Sequence, residues 1–420
     1  MSEPTAAPAS SVTAPSDRPS RGRVLVTGAS VAGPAAAYWL ERVGYDVTVL
    51  ERSAEPRLGG QNVDVRGLAR EVLERMGLRE AVLAANTGEV GTRFVDERGR
   101  TVSEFPAEAG EPDGPTAELE VLRGELARIL TGACGDGVTW WSGDHVVEVE
   151  QSAEEVTVTL AGGDVHRFDL VVVAEGPRSH TRGLVLGPEQ RPELKRLGMH
   201  MAWATIPRTA DDDRWWRWMS VPGSRSVTLR PDNLGTTRAT LGFMDDPGDF
   251  EDLPPAGQVA ELRRRFGDLG WEVPRVLDAI GQGEELYVED LTQVVCPTWS
   301  AGRVVLLGDA AWCVTPIAGA GTSLALLGAY VLAVELAALA PGEAPAAAYE
   351  RWEGWMRPVV EEAQDLPPGT PRLANPQSRV GTTLFRAGTR LAALRPVRAL
   401  ASRLTSGPDP DRELPPLPAG

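Results

Sequence analysis

Three short stretches combine small and acidic residues in patterns that can do chemistry on a nucleotide-like group. Gly28-Ala29-Ser30-Val31-Ala32-Gly33 follows an apolar run and opens a helical one. It reads as the Gly-x-Gly-x-x-Gly dinucleotide fingerprint with Ser30 in the middle position. Gly28 suits the tight turn and Gly33 lets helix and strand pack closely. Ser30 is the least bulky substitute where a backbone must approach a pyrophosphate, and its hydroxyl can donate to phosphate. Glu51 stands 23 positions after Gly28, where a carboxylate can hold ribose hydroxyls, and Arg52 beside it can cover the adenine or the pyrophosphate. The second stretch is "LLGDAAWCVTPIAGAGTSLALLGAYVLAVEL", residues 306–336. An apolar run delivers Asp309 to a turn holding Pro316, Gly319 and Gly321, and a long helix follows. Unpaired N–H groups and the positive end of a helix suit an anionic ring, and Asp309 can accept from the hydroxyls of a ribityl chain. Together these two stretches favour a flavin dinucleotide. The third is "VVVAEGPRSHTR", residues 171–182, an apolar run ending in Glu175-Gly176.

These residues need elements to position them. An apolar run at 24–26, a helical stretch at 32–43 and a second run at 47–50 predict a βαβ unit. "GGQNVDVRGLAREVLERMGL" reads as a turn and an amphipathic helix, and "EVLRGELARIL" as another such helix. Residues 145–176 predict two or three antiparallel strands feeding one buried strand. Residues 199–245 alternate between Pro/Gly/Asn turns, as an antiparallel meander does, and helix returns at 257–285 and 346–365. The pattern is α/β. A doubly wound (Rossmann-like) dinucleotide domain, residues 23–190 and 290–345, is interrupted by an antiparallel β-sheet domain, 191–289. C-terminal helices, 346–405, close it, between disordered tails at 1–22 and 406–420.

The 420 residues carry a net charge of −17, which argues against nucleic acid or an anionic membrane as partner. Lys195 is the single lysine, so a phosphate-binding cation here is an arginine. Cys134, Cys296 and Cys313 have no metal-ligand spacing and suit a reducing cytoplasm. No run of 18 apolar residues predicts a membrane span. Residues 372–403 hold seven arginines and no acid. Pro396 interrupts that stretch, and packing against the acidic body is the preferred reading over a membrane-surface helix.

Five motifs in order, "GASVAGPAAAYWL", "GGQNVDVRG", "EVLRGELARIL", "DLVVVAEGPRSHTR" and "GRVVLLGDAAWCVTPIAGAGTSLA", carry a family resemblance over residues 23–365. The chain resembles the class A flavin-dependent monooxygenases, the para-hydroxybenzoate hydroxylase fold group. Within them it is most similar to tetracycline-inactivating flavin monooxygenases and actinobacterial antibiotic-pathway relatives. The resemblance implies FAD extended across the first domain, with NADPH or NADH as co-substrate. It implies Gly28, Ser30 and Gly33 under the pyrophosphate, Glu51 and Arg52 at the adenosine, and Arg123 at the ribityl-phosphate region. Asp309 would hold the ribityl chain, and Pro316, Gly319 and Gly321 would border the pyrimidine end. Asp64 and Arg66 would line the flavin beside the active site, and Arg57 is the candidate for the NAD(P)H phosphate. Two positions depart from the family pattern. Glu175, before Gly176, replaces the usual Asp of a pair that helps both FAD and nicotinamide bind, and Thr322 stands where Asn is common.

The implied activity is monooxygenation: hydride reduces FAD, O₂ adds at C4a, and the hydroperoxide gives one oxygen to an electron-rich carbon or inserts it beside a ketone. The flavin carries the chemistry, and no catalytic side chain or metal site is read from the sequence. Trp203, Trp216, Arg217, Met219 and Phe243 are the substrate-pocket candidates, suited to a polycyclic or polyketide-type small molecule; the rival reading puts the aromatics in the insertion's own core. His200 reads as structural. Because Glu175 departs from the pattern, a flavin-braced non-redox cyclase (a pericyclase) of polyketide biosynthesis stays open, as does a flavin-sequestering protein. The sequence does not specify the oligomeric state.

Overall fold

The computed structural model describes residues 20–55, 60–107, 119–245, 250–283, 285–340, 342–367, 369–394 and 412–418. The Val/Leu-rich runs Arg23–Thr27, Asp46–Glu51 and Leu170–Val173 pair in parallel, as runs buried on both faces do. They are the middle of a six-stranded sheet. Val304–Leu306 and the short antiparallel edge Ser300–Ala301 lie on one side, and Val138–Ser142 on the other. The chain leaves Arg23–Thr27 toward Asp46–Glu51, while Leu170–Val173 lies on its opposite side. The crevice at the carboxyl ends of these neighbours is the topological switch point, where ligands bind in such sheets.

Helix Ala32–Arg42 follows the first turn and packs on helix Gly321–Ala337. The second helix is apolar all round and buried from Leu324 to Val334, as a central helix must be. Trp299, Trp312 and Trp352 meet edge-on or tilted, with centroids 4.5–5.5 Å apart. Trp352 Nε1 donates to the Gly328 carbonyl at 2.9 Å. A Cβ on Gly328 would sit 3.0 Å from Trp312. That bare position holds helix Pro345–Gln364 against the central helix.

The predicted meander is Glu193–Pro207, Trp216–Val221, Arg225–Pro231 and Thr236–Met244. Its edges do not stay bare, because unpaired strand groups need partners. Leu286–Val295 pairs with Glu193–Pro207 on one edge, and Gly91–Val95 with Thr101–Pro106 extends the other. The seven-stranded sheet thus reaches beyond residues 191–289 at both ends. Helices Pro255–Phe266 and Val273–Gly281 cover one face over a core that includes Leu241, Phe243 and Phe266. Asn62–Val65 pairs with Leu119–Leu122. The sequence reading has only a turn at Asn62–Val65, since four residues show too little alternation to mark a strand.

Of the expectations about the ends, one changes. Helix Arg379–Ala392 does lie against the body, through Phe385 on Phe94 at 5.7 Å and Arg386 to Glu97 at 2.9 Å. Residues 412–418, however, are packed and not a disordered tail. Leu414 is buried, Pro415 O accepts from Tyr330 at 2.6 Å, and Arg412 lies 4.8 Å over the Trp355 ring. Leu414 and Leu417 give this Pro-rich end apolar anchors that its composition hid. Residues 1–19 and 395–411 lie outside the described residues.

A Cβ on Gly33 would fall 1.8 Å from the Gly28 carbonyl oxygen. Overpacking of this kind costs about 1–3 kcal/mol. Gly33→Ala is expected at the upper end, read as a fall in the thermal unfolding midpoint together with loss of flavin from the purified protein.

Candidate active site

A cavity of about 1240 Å³ opens at the switch point. Its floor is the turn after the first strand, Gly28 to Ala32, with Glu51 and Arg52 from the second strand's end. Gly28 has φ +98°, and a Cβ there would meet the Ala174 carbonyl oxygen at 2.4 Å, so both neighbouring turns come together only because it is glycine. Glu51 accepts from the backbone N–H of Ala29 at 2.8 Å and of Ser53 at 3.0 Å. That fixes the carboxylate at the cavity edge with lone pairs left over. Gly33 does not line the cavity but packs beneath Gly28.

Arg123 opens helix Arg123–Ala133, its backbone N–H donating to Gln61 O at 2.9 Å. Its guanidinium lines the cavity and donates to Ser30 Oγ at 3.2 Å, while Nε is buried with no partner. A buried N–H without an acceptor is costly, and an oxygen-rich anion over Ser30 would satisfy it. Asp309, at the start of Asp309–Trp312, lines the opposite wall with Gly321 and Thr322 at the head of the central helix. Burial raises the Asp309 carboxyl above its ordinary range, against the pull of Arg123. These groups fit a flavin dinucleotide: an arginine for phosphate, acceptors for hydroxyls, and a helix end for an anionic ring. Thr322 keeps a polar side chain there. Pro316–Ala318 is a short 3-10 turn and Gly319 ends it at φ +64°; they lie behind Gly321, outside the lining. Asp64 and Arg66 pair at 2.8 Å on and after the strand Asn62–Val65, and Arg66 N–H donates to Ser323 Oγ at 2.9 Å. They brace the central helix's first turn and also stand outside the lining. Arg57 lies outside the described residues.

Glu175 has its carboxylate committed. It accepts from Ser179 Oγ at 2.7 Å, Thr181 N–H at 3.0 Å and Thr181 Oγ1 at 2.5 Å. Ser179 Oγ in turn accepts from the Arg182 N–H at 3.1 Å. The longer side chain therefore reaches forward and caps helix His180–Val185. Buried Arg182 donates to Ala310 O and Pro177 O, both at 2.8 Å, tying this loop to the turn that carries Asp309. Sequence reading missed Arg182 as a positioning residue, and its spacing from Glu175 was the available signal.

The seven-stranded sheet roofs the cavity. Register puts Trp218, Thr228, Thr240, Trp203 and Tyr287 in one cross-strand row. Beside it runs a second row, Trp216, Arg230, Arg238, Thr205 and Glu285. Trp203, Thr205, Arg238, Glu285 and Tyr287 line the cavity, so both rows face the first domain. Trp216 lies under Arg230 at 4.3 Å, and Arg230 is paired with Glu89 and Glu120. Of the five substrate-pocket candidates Trp203 lines the cavity and the other four are corrected here: Trp216 shares the inner face but stands outside the lining. Arg217, Met219 and Phe243 occupy the alternate positions and point to the helix-covered face. Met219 and Phe243 are core, and Arg217 pairs with Asp212 at 2.5 Å. Period-2 alternation forces this once one residue's direction is known. His200 is buried on that same outer face, bonded to Asp290 and stacked 4.9 Å from Phe243, which makes it structural. Among the described residues no group of acids, histidines and cysteines could hold a metal, and no helix is long and apolar enough to cross a membrane.

Glu289 lies on the roof strand one pair beyond Tyr287 and shares its face. Burial, helped by Asp309, pushes its carboxyl from 4.5 up to about 7, against Arg178 and Arg123.

Two outcomes follow from these placements. Glu175→Ala removes three accepted hydrogen bonds at a helix start and is expected to cost about 1–2 kcal/mol of stability, checked by denaturant unfolding. Glu289 stays protonated in the folded protein after the unfolded chain has ionised. The contribution of Glu289 to stability is therefore whole below pH 4.5 and is lost as pH rises toward about 7. Glu289→Gln should flatten that limb in a series of thermal midpoints against pH.

Comparison with known proteins agrees with this geometry. Residues 21–366 match the FAD binding domain family. The chain is 40% identical over 318 residues to the Mycobacterium tuberculosis protein Rv1260, covering 75% of this chain and 85% of that one. It is 36% identical over 405 residues to the flavin-dependent monooxygenase eupH of a Phoma species, covering 89% and 94%. The crystal structure of tetracycline destructase Tet(51) superposes with a TM-score of 0.75 at 28% identity, over 89% of this chain and 98% of that one. With an FAD cradle at the switch point and a sheet as its roof, the chain belongs to the class A flavin-dependent monooxygenases and is an FAD-dependent monooxygenase.

Proposed function

We propose that this enzyme takes electrons from NADPH or NADH and oxygenates a polycyclic or polyketide-type small molecule, by hydroxylation or by insertion beside a ketone, in antibiotic biosynthesis or resistance. One observation carries the reading. The dinucleotide cradle and the underside of the sheet, with Trp203 and Tyr287, form one continuous cavity. A flat substrate can then lie between the roof and the ring of the cofactor. The tetracycline-destructase likeness supports a polycyclic substrate of this shape.

FAD, when bound, supplies the hydride acceptance and the activation of oxygen. The chain's own residues bind and orient. Ser30 and Arg123 would hold the pyrophosphate side, with Gly28 and Gly33 shaping the turn beneath it. Glu51 and Arg52 would hold the adenosine, and Asp309 would accept from the ribityl hydroxyls. The head of helix Gly321–Ala337 would stabilise the ring's anionic edge. The roof row keeps bulk water from the reacting face. The cyclase alternative drew on the departure at Glu175. A helix cap accounts for that residue without reference to redox chemistry, so the departure no longer favours the cyclase.

The deciding experiment gives the purified yellow protein NADPH or NADH anaerobically, with a tetracycline and a panel of polycyclic phenols, then admits air. Expected are bleaching, reoxidation, and a product heavier by one oxygen atom. A flavin that stays oxidised across the panel, with no oxygen uptake, would overturn the reading. Asp309→Ala should weaken FAD retention at least about tenfold, since hydrogen bonds to charged groups are worth about 1.5–3 kcal/mol; flavin fluorescence on serial dilution measures it.

A further inference from the structure

Two arginines pair across the inner face of the roof, Arg230 with Arg238. Arg230 is taken up by two carboxylates, Glu89 and Glu120, and stands outside the cavity lining. Arg238 hydrogen-bonds one carboxylate and lines the cavity, although only 8% of it is exposed. Its Nε donates to Asp232 at 3.0 Å, and Nη1 donates to Thr205 Oγ1. Asp232 is itself fixed, buried in the turn before the strand, where it accepts from the backbone N–H of Leu234 at 3.0 Å and of Thr236 at 2.8 Å. Thr205 Oγ1 donates onward to Glu285 at 3.0 Å. Two anchored edges lock the guanidinium plane. The remaining nitrogen, Nη2, has no hydrogen bond to any described residue and is not sealed by protein. A rigid, largely buried cation thus keeps one donor for the cavity that it lines.

We propose that Arg238 is a substrate-binding residue whose Nη2 donates to an ionised oxygen of the substrate: an enolate, a phenolate or a carboxylate. The proposal rests on the monooxygenase reading above. A guanidinium stays charged at every working pH, and its hydrogen bonds to anionic oxygen are of the strong kind. Glu285, 4.0 Å from Nη1, is mostly exposed, so water screens its repulsion of that anion. Register sets the spacing. Trp203 pairs with Thr240, two residues along the strand from Arg238, a step of about 7 Å. A flat ring system against Trp203 can therefore bring an oxygen of its next ring to Arg238. Held at those two points, the substrate turns one edge to the cofactor cradle, and Arg238 selects which carbon is oxygenated.

The test uses oxidised holoenzyme without NADPH or NADH, so turnover is not needed. Two probes of one shape, 2-naphthoate and naphthalene-2-carboxamide, are titrated at neutral pH by the change in the flavin spectrum. Wild type is expected to bind the carboxylate at least about tenfold tighter than the amide. The net charge of −17 opposes an anion at long range, so this preference reports a local cation. Arg238→Met, with its flavin content unchanged, is expected to bind the two probes nearly equally, and Arg238→Lys to keep part of the preference. Arg238→Gln, which retains a donor for Thr205, replaces the Met variant if that variant loses its flavin. Failure of wild type to bind 2-naphthoate, equal binding of both probes by wild type, or a full preference in the neutral variant would each overturn the proposal. So would an equal loss of both probes in that variant, as a purely structural arginine would give. Failure of the monooxygenase reading shows separately, as the absence of oxygen uptake with NADPH or NADH.

Discussion

The close approach of Gly28 to both Gly33 and Ala174 is the constraint on which the rest of the molecule depends. A side chain at Gly28 would collide with the Ala174 carbonyl, and one at Gly33 with the Gly28 carbonyl. With both positions bare, the first helix starts directly above its strand and two neighbouring turns share one crevice. The cradle, Glu51 at its edge and the Glu175 loop are arranged around that contact. The central helix then brings its N-terminus to the far side of the same crevice, because its apolar surface is buried against helix Ala32–Arg42 and the tryptophan cluster.

A second demand is placed on the sheet domain, which must face the cradle without sliding over it. Arg230 is the clamp. It pairs with Glu89 at 2.9 Å and Glu120 at 2.6 Å, and Asn62 links Glu120 at 2.7 Å to the backbone of Pro231 at 3.2 Å. Two carboxylates around one arginine leave excess negative charge in a buried place. Burial and the neighbouring Glu120 accordingly raise the Glu89 carboxyl. Buried pairs of this kind add little net stability but penalise any other arrangement. They hold the roof in one register over the cavity.

The roof and the cradle meet at Asp309, Glu289 and the Glu175 loop. Arg182 crosses from that loop to the carbonyl of Ala310, so the cap built by Glu175 and the wall built by Asp309 move as one unit. Glu175, the residue that looks anomalous in isolation, has its place in this linkage. Its extra methylene lets the carboxylate reach two residues of the next helix.

The sequence by itself determined the doubly wound domain, the inserted sheet and most of the cradle. Those signals are local: apolar runs of fixed period, glycines where a turn cannot hold a side chain, and acids at strand ends. Gly28, Ser30, Glu51 and Asp309 were legible in this way, since each sits at the end of an element whose direction the pattern fixes, whereas Arg123 was expected only through the family resemblance. The direction of the sheet's side chains was not. Alternation separates Trp203 and Trp216 from Arg217, Met219 and Phe243, but it carries no sign. Only the helices packed on one face and the first domain on the other decide which set faces the first domain. The strand Asn62–Val65, the edge strands at 91–106 and the packed end at 412–418 were hidden for the same reason. Their stabilising partners lie far away in the chain. Only tertiary structure brings the strand of Glu289 against the helix of Asp309, where burial raises the Glu289 carboxyl.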